Sequence, residues 1–157
     1  MSYGLGLALL GAALAVGLSG VGSAIGIGYA GQASIGAMTE DPENFGRYLI
    51  LTALPGTQGI YGFVAAFMLI MKINLLGGTP VPLTTTQGWS FFVAGLPIAI
   101  AGFASAIHQG KVCTAGVGLT VKRPADSMKA MVLAVFVEFY AVLGLLVSIF
   151  LISGIKV

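Results

Sequence analysis

The chain has 157 residues, of which 57% are hydrophobic and only 8% are charged, and its formal net charge is +2. About a quarter of the residues of a soluble domain are charged, so this composition excludes a soluble globular protein and indicates an integral membrane protein. The small, dispersed positive charge gives no indication of nucleic-acid binding. A single cysteine, Cys113, excludes an internal disulfide framework.

Four long apolar segments are separated by short connections, and each is predicted to be a membrane-spanning helix. In chain order they cover about residues 5–38, 48–75, 89–120 and 130–153, with polar loops at 39–47 and 121–129 and a Gly/Pro/Thr-rich connection at 77–88. Several exceed the roughly 20 residues that cross a bilayer, so we expect them to project beyond it. The first segment lacks the basic residues that precede a signal peptide's apolar run, so we expect a retained helix.

The basic residues predict the orientation of these helices. Five lie on the side of the two polar loops and two on the opposite side: Arg47, Lys111, Lys122, Arg123 and Lys129, against Lys72 and Lys156. Basic residues accumulate on the cytoplasmic side of membrane proteins. Both polar loops of this multi-pass protein are therefore predicted to be cytoplasmic and both termini to lie outside.

The chain repeats itself with a period of 82 residues, which is the separation of Pro42 and Pro124 (124 minus 42). The same offset pairs Gly20, Ser23, Ala24, Ile25, Gly28, Ala33, Gly36 and Gly62 with Gly102, Ser105, Ala106, Ile107, Gly110, Ala115, Gly118 and Gly144. We therefore predict an all-α membrane protein made of two tandem helical hairpins, residues 1–76 and 77–157. The hairpins share one orientation because each contains two spans.

Small residues recur at every fourth position in both copies of the repeat. They are Gly20, Ala24 and Gly28 in the first segment and Gly102, Ala106 and Gly110 in the third. This pattern lets membrane helices approach each other closely. We expect both faces to be packed, as on the crowded inner wall of a ring.

One ionisable residue, Glu138, lies deep inside the fourth apolar segment. A carboxylate at that depth costs at least a few kcal/mol, so such residues usually have a partner and serve an ion or proton pathway. The repeat aligns Glu138 with Gly56, so the first hairpin lacks this acid. We therefore expect one ion site for each pair of hairpins.

Polar residues that could partner this acid lie in the second and third segments. The stretch LPGTQGIYG, at 54–62, is the most polar part of any predicted helix. Its Thr57, Gln58 and Tyr61 share one helical face. The third segment adds Gln109, which we expect on the packed side of its helix.

Together these groups supply about five hard oxygen ligands: the carboxylate of Glu138, the side chains of Thr57, Gln58 and Gln109, and a carbonyl near Leu54 that Pro55 exposes by lacking an N–H. Alkali and alkaline-earth cations prefer such ligands. One carboxylate balances a monovalent ion and leaves a divalent ion half balanced, so sodium fits better than calcium. A proton, the alternative, would need only Glu138 and a donor such as Tyr61.

The tandem hairpins and the segments LPGTQGIYG, HQGK and VEFYAVLG resemble the rotor-ring proteolipid (the c/K subunit) of bacterial V-type sodium-translocating ATPases. The resemblance covers essentially the whole chain. It implies that Glu138 carries the ion, that Leu54, Thr57, Gln58 and Gln109 complete a sodium shell, and that Tyr61 hydrogen-bonds the glutamate. Phe139 departs from the family pattern, in which a threonine is expected, but it removes no expected ligand.

The resemblance also implies the partners of the chain. These are identical subunits in a ring, a stator membrane subunit that presents an arginine, and a central shaft that docks on the cytoplasmic loops. The chain itself is expected to be non-catalytic, because it has no Gly-rich phosphate loop with Lys and Ser/Thr and no nucleophile–base pair. Two other functions stay open: a proton-specific rotor subunit, and a small independent channel or carrier that transports ions unaided.

Overall fold

The computed structural model of the chain describes residues 2–157, and every regular element in that range is helical. Five α-helices follow one another: α1 (Tyr3–Met38), α2 (Phe45–Ala53), α3 (Thr57–Lys72), α4 (Thr85–Lys122) and α5 (Ser127–Gly154). Short 3-10 turns lie at Pro42–Asn44, Leu54–Gly56 and Pro124–Asp126. Because the turn at Leu54–Gly56 joins α2 and α3 into one span, the helices make four spans of membrane length and apolar composition, as predicted.

Several helix ends differ from the prediction by up to four residues, and local capping explains two of them. α4 begins at Thr85, four residues early, because Thr84 and Gln87 form reciprocal caps: Gln87 N donates to Thr84 Oγ1 (3.2 Å) and Thr84 N to Gln87 Oε1 (3.0 Å). Such a capping box satisfies the free N–H groups of a first helical turn. α3 ends at Lys72, three residues early, because Asn74 adopts a left-handed φ of 56°.

The helices repeat with the predicted period of 82 residues. α4 starts 82 positions after α1, the turn at Pro124–Asp126 follows the turn at Pro42–Asn44 by 82 positions, and α5 ends 82 positions after α3. One element breaks the repeat, since the turn at Leu54–Gly56 corresponds to residues 136–138, which are regular α-helix. The prediction of two tandem hairpins is therefore confirmed.

α1 and α4 pack side by side through glycines, and theirs is the most extensive contact between any two helices of the chain. A Cβ atom added to Gly22 would lie 2.7 Å from the Cα atom of Phe103, and one added to Gly110 would collide with the backbone of Gly26. A side chain at these positions would push the helices apart. The glycines therefore set the distance between the two hairpins.

Within a single chain, the predicted small-residue face is packed on α4 and not on α1. The predicted residues of α4 are all buried: Gly102, Ala106 and Gly110. In α1, by contrast, Ala24 is exposed, and a Cβ atom added to Gly20 or Gly28 would meet no atom within 4 Å. The reason is that the two repeats meet through different faces: α1 packs on α4 through Gly22 and Gly26, whose counterparts on α4 are the exposed residues Ala104 and His108.

Buried apolar side chains form two clusters, one on each side of Glu138 along α5. The cluster nearer the polar loops includes Ala134, and the cluster nearer the chain termini includes Ala141. At the terminal end, Lys72 Nζ donates to the carbonyl oxygens of Ile152 (2.7 Å) and Ser153 (3.0 Å). This contact ties the end of α3 to the end of α5, where a cation is also favoured by the helix dipole.

Replacing Gly26 with valine is expected to destabilise the chain by about 1–3 kcal/mol, the usual cost of overpacking a close contact. An added Cβ atom there meets the carbonyl oxygen of Ala106 and lies 2.8 Å from the Cβ atom of Pro55. The matched control is Gly36→Val, because a Cβ atom at Gly36 meets nothing within 4 Å. Thermal unfolding in detergent measures both. Equal unfolding temperatures for the two variants would contradict the role assigned to Gly26.

Candidate ion-binding site

Glu138 lies in the buried stripe of α5 and is only 9% exposed. Each of its carboxylate oxygens accepts a hydrogen bond from another helix. Tyr61 Oη, on α3, lies 2.6 Å from Glu138 Oε1, and Gln109 Nε2, on α4, lies 3.3 Å from Glu138 Oε2. The acid is thus held between the two hairpins, by one donor from each.

Two buried glutamines extend this network. Gln58 and Gln109 are both 0% exposed, and Gln58 Nε2 donates to Gln109 Oε1 at 2.6 Å. Gln109 Nε2 also donates to the carbonyl oxygen of Ala134 (3.1 Å), one turn before Glu138 on α5. Gln109 is therefore fixed from three directions. The prediction that it faces the packed side of its helix agrees with its full burial.

The turn at Leu54–Gly56 brings further oxygens to the same place. Pro55 has no N–H, and the chain tightens locally so that the carbonyl oxygen of Leu54 accepts both the N–H and the hydroxyl of Thr57, the latter at 3.0 Å. Thr57 Oγ1 lies 3.4 Å from Gln58 Oε1. The break in the helix thus gathers a carbonyl, a hydroxyl and an amide oxygen beside Gln109 and Glu138.

Two contacts of this site were missed by sequence reasoning. Ser23 Oγ, on α1, accepts from the N–H of Gly59 (2.8 Å) and so holds the first turn of α3. The carbonyl oxygen of Ala134 orients Gln109. Ser23 recurs as Ser105 in the repeat, and that recurrence was the available signal. A backbone contact such as that of Ala134 leaves no signal in the sequence.

Two neighbours of the site residues lie outside the network. His108 is exposed beside the buried Gln109, and no hydrogen bond of its side chain occurs in residues 2–157. Phe139 is 51% exposed and packs edge to face on Phe136, with 5.8 Å between the ring centres. Phe139 therefore lies on the outer surface of α5 and displaces none of the site residues.

The chemistry of this cluster is that of a site for one hard monovalent cation or one proton. Its oxygens come from a carboxylate, two amides, a hydroxyl and a carbonyl, and one negative charge balances one positive charge. Among the described residues, no group of three or more His, Cys, Asp and Glu side chains could hold a metal ion. Every buried side-chain nitrogen and oxygen in this part of the chain has a hydrogen-bond partner. The oxygens in this cluster are ligands of the kind that alkali cations prefer.

Comparison with known proteins agrees with the repeat and with the predicted resemblance. The family described as the C subunit of ATP synthase matches the chain twice, at residues 10–69 and 92–151, and these two matches are again 82 positions apart. The K subunit of the V-type sodium ATPase of Enterococcus hirae is 42% identical over 122 residues, which cover 78% of this chain and 74% of that protein.

Two further relatives widen the range of ions and organisms. The K subunit of the A-type ATP synthase of Methanocaldococcus jannaschii is 40% identical over 149 residues, which cover 95% of this chain but 63% of that longer protein. The 16 kDa proteolipid of the V-type proton ATPase of Nephrops norvegicus is 30% identical over 110 residues, covering 70% of this chain and 67% of that protein. The names of these relatives thus include both sodium and proton ATPases. The chain belongs to the family of ATP synthase C subunits.

Proposed function

We propose that the chain is a rotor-ring subunit of a V-type ATPase and that each copy carries one sodium ion at Glu138. The observation that carries this proposal is the hydrogen-bonded network joining Glu138 to both buried glutamines. Burying two amide side chains at mid-membrane costs free energy, so we expect them to contribute to binding. A proton site would need the carboxylate and one donor, whereas a cation needs several oxygens.

Five groups would hold the ion: the carboxylate of Glu138, the side-chain oxygens of Thr57, Gln58 and Gln109, and the carbonyl oxygen of Leu54. Tyr61 would orient the carboxylate through its hydrogen bond of 2.6 Å. The occupied site has no net charge. It can therefore face lipid cheaply, whereas the empty, charged site cannot.

This difference in cost couples ion exchange to rotation. A ring of identical copies would turn against a stator membrane subunit, whose arginine would meet each empty Glu138 in turn. The polar loops at 39–47 and 121–129 would face the cytoplasm and dock the central shaft, with both termini on the outer side of the plasma membrane. ATP hydrolysis would take place in other subunits of the complex.

Replacing Tyr61 with phenylalanine is expected to weaken sodium binding about 10- to 150-fold, because a hydrogen bond to a charged group contributes roughly 1.5–3 kcal/mol. Tyr140→Phe is the matched control, since Tyr140 lies on the same helix as Glu138 and is 69% exposed. Equilibrium binding of radioactive sodium to the purified protein measures both variants. If Tyr61→Phe bound sodium as tightly as the control, the role proposed for Tyr61 would be wrong.

The proposed function is tested by the oligomeric state and sodium stoichiometry of the purified protein. We expect native mass spectrometry to show a closed oligomer, and sodium binding to saturate at one ion per chain. A proton-specific rotor subunit would give the oligomer without sodium binding. An independent channel or carrier would be monomeric in detergent and conduct ions in vesicles unaided, and that result would overturn the rotor proposal.

A further inference from the structure

The N–H group of Gly59, in the first turn of α3, is bound by a side chain from another helix. α3 follows the 3-10 turn directly, and the residue at its N-cap position is Gly56, which has no side chain with which to cap the helix. The first N–H groups of a helix have no partner within that helix. Ser23 Oγ, on α1, accepts from Gly59 N at 2.8 Å, as the side chain of an N-cap residue does. α1 therefore caps α3 at the helix break.

The shape of α1 also fits this break. A Cβ atom added to Gly26 would lie 2.8 Å from the Cβ atom of Pro55. A Cβ atom added to Gly59 would lie 3.3 Å from Ser23 Oγ, which is closer than an ordinary contact. α1 thus supports the break on both sides, before and after Gly56, although it supplies none of the proposed ligands.

The second hairpin has the same serine without the same contact. Ser105 is the counterpart of Ser23, and both side chains are buried, at 5% exposure. The counterpart of Gly59 is Ala141, which lies in the continuous helix α5. Ser105 Oγ instead lies 3.5 Å from the carbonyl oxygen of Gly102, in its own helix. The contact between serine and the neighbouring backbone therefore accompanies the helix break, and the repeat alone does not produce it.

We propose that Ser23 is a positioning residue of the ion site, and that its hydrogen bond to Gly59 sets the preference of the site for sodium over lithium and potassium. This inference rests on the proposed sodium site. Thr57 and Gln58 directly precede Gly59, and Thr57 Oγ1 donates to the carbonyl oxygen of Leu54 at 3.0 Å. Three of the five proposed ligand oxygens therefore move with the first turn of α3.

The other two ligands are held independently of this turn. Gln109 lies on α4 and is fixed by the carbonyl oxygen of Ala134, and Glu138 lies on α5. The spacing between the two sets of oxygens thus depends on how α3 lies against α1. Selectivity between cations depends on the size and flexibility of the ligand shell. Lithium is smaller than sodium and potassium is larger, so a first turn released from Ser23 should discriminate less against both.

Replacing Ser23 with alanine tests this role, because the change removes the acceptor and adds no bulk. Ser105→Ala is the matched control, since it removes an equally buried serine from the other hairpin. Equilibrium binding of radioactive sodium to the purified full-length protein, in competition with lithium and with potassium, compares the three ions. We expect Ser23→Ala to bind sodium about 3- to 10-fold more weakly, the range of one neutral hydrogen bond, and to lose at least about threefold of its sodium preference. Ser105→Ala should change neither quantity by more than about twofold.

Replacing Gly59 with alanine perturbs the same contact from α3 and keeps the hydroxyl of Ser23, so it decides the question if Ser23→Ala fails to assemble. The added Cβ atom lies 3.3 Å from Ser23 Oγ, and the contact must open to accept it. We expect the same fall in sodium preference. General destabilisation would lower the affinities for all three ions by one factor and leave their ratios unchanged.

Unchanged ratios in Ser23→Ala and Gly59→Ala, or an equal change in Ser105→Ala, would overturn the role of Ser23 and leave the sodium site intact. An unsubstituted protein that binds no sodium would overturn the proposed function itself, and this inference with it.

Discussion

Replacing Glu138 with glutamine is expected to abolish sodium transport, with sodium affinity reduced at least about 100-fold. Glutamine keeps the shape of the side chain, and its amide oxygen can still accept from Tyr61 Oη, which lies 2.6 Å from Glu138 Oε1. It removes the one negative charge that balances the cation, and an unbalanced charge at mid-membrane costs about 3 kcal/mol or more. Uptake of radioactive sodium by vesicles containing the assembled ATPase, together with equilibrium binding to the purified protein, measures the loss.

The control for this prediction is Glu138→Asp, which keeps the charge and shortens the side chain by one carbon. We expect it to retain sodium binding, weakened because the carboxylate no longer reaches both of its donors, Tyr61 and Gln109. Sodium uptake by the glutamine variant equal to that of the aspartate variant would show that charge balance at residue 138 is not required.

Replacing Gln109 with leucine is expected to weaken sodium binding about 10- to 100-fold while leaving Glu138 in place. The change removes one ligand oxygen, and it leaves Gln58 Nε2 and Glu138 Oε2 without their buried partner, at about 1–3 kcal/mol for each unpaired group. The matched control is Gln32→Leu, since Gln32 is an exposed amide on α1. Equilibrium sodium binding compares the two variants.

This substitution also separates the sodium site from a proton site. If the glutamines serve only to join helices, Gln109→Leu should reduce the stability of the protein and leave the sodium dependence of ATP hydrolysis unchanged. If they are ligands, half-maximal activity should require about 10- to 100-fold more sodium. An unchanged sodium requirement in a stably assembled variant would contradict the proposed ligand set.

The sequence was enough to identify the side chains that the structure brings together around Glu138, because its signals are local. Glu138 is an acid in a long apolar run. Its counterpart in the repeat, Gly56, follows Pro55, so the acid and the helix break were both visible in the sequence. The period of 82 residues then predicted two hairpins of like orientation. Each of these inferences needed only the spacing of residues along the chain.

The rotation of α1 about its own axis could not be predicted in the same way. Its faces are apolar or small on all sides, so no amphipathic stripe marks the side that is packed. Gly20 and Gly28 were therefore expected on a packed side, whereas the contact of α1 with α4 inside the chain is made by Gly22 and Gly26. The hydrogen bond from Gly59 N to Ser23 Oγ depends on that rotation too, and could not be predicted without it.

Labelling of Glu138 by a hydrophobic carbodiimide tests most directly whether this carboxylate binds sodium. The reagent reacts with the protonated carboxyl group, so any cation that occupies the site slows the reaction. We expect millimolar sodium to protect Glu138, and protection to weaken as the pH falls, because sodium and protons compete for one carboxylate. A labelling rate that sodium does not change at any pH would contradict the sodium site and favour a proton-carrying rotor.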